Sequence, residues 1–161
     1  MDLMARRRVM MINKGSKVAN LWNMNRPSMT FTAPGFTDTT KQIAADGTLT
    51  INISSSGNSS SRIMISLTAE QLGLKDGKTY TVKIWATQNN IATWRDSVIR
   101  VNAANTTFRS SPFQKTWIQS GGNIVQVGNL YWNDYSPNAL CGLRVMVAEG
   151  DHIDDFVPYA N

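Results

Sequence analysis

The chain has one cysteine, one histidine and few charges: 17% of its 161 residues are Asp, Glu, Lys or Arg. A single thiol, Cys141, excludes an intramolecular disulfide and a cysteine-built metal cluster. Its setting, "NALCGLRVMV", suits a small buried residue in or beside a strand, with a catalytic thiol as the alternative. No stretch approaches the roughly eighteen consecutive apolar residues of a membrane-spanning helix. The start, "MDLMARRRVMMINK", sets positive charge before the apolar run Val9 to Ile12. That run is short and no small-residue cleavage site follows it, so a secretory signal is not expected. Also missing are a G-x-S-x-G elbow, a phosphate-binding loop, a dinucleotide fingerprint and an H-E-x-x-H pair. These absences argue against an enzyme, and no cofactor is expected.

What is present favours β structure. The length suits one domain with a real core. Low charge with many Ser, Thr and Asn fits a β-rich extracellular or virion protein better than a cytosolic helical enzyme. The net charge of +5 is uneven: residues 1–20 hold Arg6, Arg7, Arg8, Lys14 and Lys17 against Asp2. The rest of the chain is nearly neutral, so the basicity belongs to an N-terminal arm. Such an arm suits nucleic acid or an acidic protein groove, or serves only to solubilise. It carries no aromatic side chain, which argues against a sequence-specific nucleic-acid reader. "DLMARRRVMMINKG" is the helix candidate, with Leu3, Met4, Met10 and Met11 at helical spacing and Gly15 as its stop. So short a helix needs a partner surface to form; the alternative is a disordered leader.

Residues 18–161 read as strands and turns. "VANLWNM" and "MTFTAPGF" offer the first strand and a strand end with a Pro-Gly turn. "GTLTINIS" alternates Leu49, Ile51 and Ile53 with polar residues, and "RIMISLT" does the same through Ile63, Ile65 and Leu67. "SSSGNSSS" between them is a polar loop. "TAEQLGLKDG" predicts one helical turn and an Asp-Gly turn, leading into "KTYTVKIWA" with Tyr80, Val82 and Ile84 on one face and Thr81, Lys83 and Trp85 on the other. "DSVIRVN", "TWIQ", "NIVQVGNLYW" and "CGLRVMVAE" complete the set. Eight to ten short strands at turn-rich spacing predict an all-β, jelly-roll β-sandwich preceded by the short basic helix or arm.

Three constellations are candidates for chemistry. His152 lies in "GDHIDDF" with Asp151, Asp154 and Asp155, a choice between a bound cation, for which Asp151 and Asp154 are the candidate ligands, and an exposed acidic turn. Glu70, Asp96, Asp134 and Glu149 would have to converge in one cleft to hydrolyse a glycoside, and nothing in their spacing brings them together. The tryptophans Trp22, Trp85, Trp94, Trp117 and Trp132 are either core residues or platforms that stack on a sugar ring. "QNNIATWRD" and "LYWNDYSPN" combine aromatics with amides and acids, which marks Asn89, Trp94, Trp132, Asp134 and Tyr135 as the candidate ligand-binding set.

Two stretches carry a resemblance. "LTAEQLGLKDGKTYTVKIWA" resembles a signature of carbohydrate-binding-module-like jelly rolls in bacteriophage tail, fibre and baseplate proteins. "LRVMVAEGDHIDDFVPY" is similar to the last strand and closing turn of the same domains, and "MDLMARRRVMMINKG" to the short basic leaders of small virion proteins. The resemblance implies a virion structural protein, assembled in the host cytoplasm. Residues 1–17 would dock to another virion protein through Leu3, Met4, Arg6, Arg7, Arg8, Met10 and Met11. It further implies a homo-oligomer, in the family often a trimer, with a cell-surface glycan as the candidate ligand. A stand-alone carbohydrate-binding module is the alternative, and a glycan-degrading enzyme a further one. Within the closing stretch, Glu149-Gly150 is expected to turn the chain out of its last strand. Phe156, Pro158 and Tyr159 then pin the end onto the sandwich.

Overall fold

A computed structural model of the chain describes residues 18–32, 39–53, 62–86, 97–122, 124–131 and 139–160. The predicted N-terminal helix and its docking residues lie outside them. Among the described residues the regular elements are strands: β1 (Ser28–Thr32), β2 (Thr39–Ile43), β3 (Leu49–Ile53), β4 (Arg62–Thr68), β5 (Thr79–Ala86), β6 (Ser97–Val101), β7 (Ala104–Phe108), β8 (Phe113–Ile118), β9 (Ile124–Tyr131) and β10 (Ala139–Glu149). They form two antiparallel sheets of five, ordered β1-β4-β9-β6-β7 and β2-β3-β10-β5-β8. Apart from the β2–β3 and β6–β7 hairpins, each connection crosses from one sheet to the other. In the second sheet, β10 inserts between β3 and β5. This is the interleaved path of a jelly roll.

Alternation builds the core. Tyr80, Val82 and Ile84 of β5 are buried, as are Ile65 and Leu67 of β4, Ile99 and Val101 of β6, and Val125 and Val127 of β9. They meet Leu49, Leu143, Val145 and Val147 in one apolar cluster drawn from both sheets. Each fully buried Val, Leu or Ile contributes about 1.5–3 kcal/mol of transfer free energy. The predicted turn before β5 is also present. Thr68 and Gln71 cap it reciprocally, Thr68 N donating to Gln71 Oε1 at 2.8 Å and Gln71 N to Thr68 Oγ1 at 3.0 Å. Gly77 supplies the φ of +79° that the Asp76-Gly77 turn requires.

The expected first strand, "VANLWNM", is instead an irregular segment. Asn20 Oδ1 accepts from Trp22 N at 2.9 Å and Val147 N at 3.3 Å, and Asn23 Oδ1 accepts from Asn25 N at 3.0 Å. Amide side chains thereby take backbone donors that a strand would spend on its neighbour. One main-chain bond remains between this segment and β10, Leu21 N to Val147 O at 2.7 Å. Trp22 and Met24 are both buried without strand geometry. Strands β2 and β7 had no counterpart in the sequence reading. In β7 only Phe108 is buried, so an edge strand such as "ANTTF" carries no apolar alternation.

The outer face of β10 and β5 is covered by the segment after Glu149. Gly150 turns the chain at φ +121° and donates its N–H to Thr79 O at 2.9 Å. Ile153, Met146 and Ala148 are then buried together, with Trp85, Phe156 and Val157 packed against them. Both faces of β10 are thus apolar, which explains the nearly unbroken run "LRVMVA".

Candidate functional site

The sequence-derived ligand set, Asn89, Trp94, Trp132, Asp134 and Tyr135, falls in residues 87–96 and 132–138, outside the described residues. The structure fixes where those segments attach. β5 ends at Ala86 opposite Leu143, and β10 begins at Ala139 opposite Ile53. β9 ends at Tyr131 opposite Arg62, and near that end Gly128 pairs with Val98 at the start of β6. Both candidate stretches are therefore anchored at one end of the sandwich, which also carries the strand ends flanking residues 33–38 and 54–61.

Three other tryptophans are structural. Trp22 and Trp117 are buried, and Trp117 packs 5.9 Å from the Tyr80 ring while donating Nε1–H to Gln119 Oε1 at 2.9 Å. Trp85 is half-buried on the outer face, meeting the Phe156 ring edge-on at 5.6 Å. Of the acids proposed for hydrolysis, Glu70 is exposed and Glu149 pairs with Lys78 at 3.1 Å, while Asp96 and Asp134 lie outside the described residues.

The acidic closing turn is organised around an ammonium group. Lys83 Nζ donates to Ile153 O at 2.7 Å and to Asp154 O at 2.8 Å. It thereby takes carbonyl oxygens of the kind a hard cation would need. His152 Nε2 lies 2.9 Å from Asp154 Oδ1, and its Nδ1 lies 2.7 Å from Gln114 Nε2. Asp151 contributes its main-chain carbonyl, accepting from Thr116 Oγ1 at 3.1 Å. Both Asp151 and Asp154 are exposed, and among the described residues no three His, Cys, Asp or Glu side chains gather as a metal site would require.

A recess of about 190 Å³ lies elsewhere, where the 20–25 segment, the β2–β3 turn and the closing segment meet over Val145. Its walls include Trp22, Asn23, Asn25, Gly47, Phe156 and Tyr159, and none of the residues lining it is charged. The turn is held rigidly. Asp46 Oδ1 accepts from Thr48 N at 2.9 Å, Arg144 Nη2 donates to Asp46 Oδ2 at 2.7 Å, and Arg144 Nε donates to Thr48 Oγ1 at 3.0 Å. The Thr48 hydroxyl and N–H, with Arg144 beside them, hold the Asp46 carboxyl below its ordinary value. Arg144 also stacks over Phe156 at 5.1 Å, tying the turn to the closing segment.

Sequence reasoning did not find this recess. Its one signal is "NLWNMN", amides spaced around a tryptophan, which reads equally well as a strand.

No model of a known protein family matches the chain, and no curated protein matches it. Among solved structures, the chain is similar to a family two carbohydrate esterase from Cellvibrio japonicus, with a TM-score of 0.30 and 15% identity. The match covers 84% of this chain and 37% of the esterase chain. A likeness at that TM-score supports no statement about activity or substrate.

Proposed function

We propose that this chain is a structural component of a bacteriophage particle, a tail, fibre or head-decoration protein. In this reading residues 1–17 dock to a neighbouring virion protein, and the jelly roll is displayed on the particle, where it contacts a host-surface glycan. The reading assigns the chain no catalytic role.

The observation that supports it most is where the two family-like stretches sit. "LTAEQLGLKDGKTYTVKIWA" forms the end of β4, the capped turn and β5, while "LRVMVAEGDHIDDFVPY" forms β10 from Leu143 onward and the closing segment. Far apart in the chain, they pair along one ladder from Leu143↔Ala86 to Glu149↔Tyr80. They are joined again by Lys83 to Ile153 O and by Trp85 to Phe156. The resemblance therefore falls on one continuous structural unit rather than on scattered residues.

Deletion of residues 1–17 tests the docking role. The truncated protein should keep the β-sheet circular dichroism and cooperative melting of the full chain. It should also disappear from purified particles when these are quantified by mass spectrometry. Incorporation at the normal level overturns the docking assignment.

A further inference from the structure

We infer that the recess over Val145 is a binding site for one neutral polyhydroxylated ring, a single saccharide unit. The inference rests on the glycan-contact part of the reading above and assigns that contact to the recess rather than to Trp94 and Trp132.

Size limits the occupant. At about 190 Å³ the recess is smaller than the roughly 300–1,000 Å³ pockets that enclose drug-sized ligands, so it admits a ring and not an extended chain. Charge limits it further. With no ionised group in the lining, a charged ligand would lose its hydration and gain no counter-charge.

Unspent hydrogen-bonding capacity then favours hydroxyl groups. Asn20 is engaged at both amide atoms, since its Nδ2 donates to Val157 O at 2.9 Å and its Oδ1 accepts from Trp22 N and Val147 N. Asn23 differs: its Oδ1 accepts from Asn25, but among the described residues its Nδ2 has no acceptor. Tyr159 also lines the recess, and its hydroxyl has no partner among the described residues. Trp22 is 1% exposed and its indole Nε1–H is a buried donor without an acceptor. With less than 1 Å² of that nitrogen accessible, a ligand in the recess does not reach it, and the donors on offer are those of Asn23 and Tyr159.

The rings of Phe156 and Tyr159 supply apolar surface for the C–H face of a sugar. Phe156 is already fixed by Trp85 at 5.6 Å and Arg144 at 5.1 Å, so little ordering cost remains at binding.

The test titrates the full chain with free monosaccharides, read by saturation-transfer NMR and calorimetry. Glucose, galactose, mannose and N-acetylglucosamine form the neutral set, with N-acetylneuraminic acid as the anionic comparison. At least one neutral sugar should bind in the millimolar range and the anionic sugar should not. Asn23→Asp, which keeps the oxygen that the Asn25 N–H needs and removes the Nδ2 donor, and Tyr159→Phe should each weaken binding by up to about tenfold with cooperative melting retained. Trp94→Ala combined with Trp132→Ala should leave it unchanged. Neutral-sugar binding that survives both recess variants but is lost in the double tryptophan variant overturns the recess and leaves the glycan reading standing. Selective binding of the anionic sugar overturns the recess assignment alone. Absence of binding by the folded chain to every sugar overturns the glycan contact itself.

Discussion

Ala103 has φ +60° and follows Asn102 at φ +48°, in the two-residue turn between β6 and β7. Both central residues of this mirror-image turn must be left-handed, which suits Asn at the first position and glycine at the second. Asn102 compensates by donating Nδ2–H to Ile118 O at 2.6 Å, but alanine gains nothing there and is exposed. Ala103→Gly should therefore raise stability by about 1 kcal/mol, a gain of about 2–4 °C in melting temperature.

The Asp46 carboxyl is held below its ordinary value of 3.8, first by the Thr48 hydroxyl and N–H. A carboxyl lowered in the folded state contributes stability that is fully present above its unfolded value and is lost as pH falls through the folded one. Asp46→Asn keeps an acceptor for Thr48 and removes the charge facing Arg144. Urea midpoints should show wild type above this variant at neutral pH, and the gap should close only as the pH drops below 3.8.

At the scale of elements, the closing segment acts as a cover for the outer face of the second sheet. Its attachments are spread along it: Gly150 O to Thr81 Oγ1 at 2.8 Å, Ile153 O to Lys83, Val157 O to Asn20, and Phe156 against Trp85. Removing residues 156–161 uncovers Met146 and Trp85 and leaves Asn20 short of a partner. The loss should be about 2 kcal/mol, seen as a fall of about 4–8 °C in melting temperature, with the fold retained. An unchanged melting temperature would contradict the pinning role. Elements were legible where apolar and polar residues alternate along the chain, as in β3, β4 and β5. They were not legible in β7, which is a polar edge, nor at residues 18–24. There "NLWNMN" has the apolar spacing of a strand, but its asparagines bind the backbone themselves.

For the molecule as a whole, the sequence alone determined the fold class, because period-two alternation and frequent turns have few solutions other than a two-sheet sandwich. It also determined the turns at Asp76-Gly77 and Glu149-Gly150, because these depend on local backbone freedom. The tertiary structure alone decided strand order, since inserting β10 between β3 and β5 depends on contacts between residues far apart in the chain. It also decided that Lys83 sits on the carbonyls of the acidic turn. Likewise, only packing shows that Asn23, Trp22 and Tyr159 share one recess while Asn20, in the same short segment, is spent on structure. Two asparagines three residues apart look alike in sequence. Their roles separate only when Val147 and Val157 arrive from the far end of the chain to occupy one and not the other.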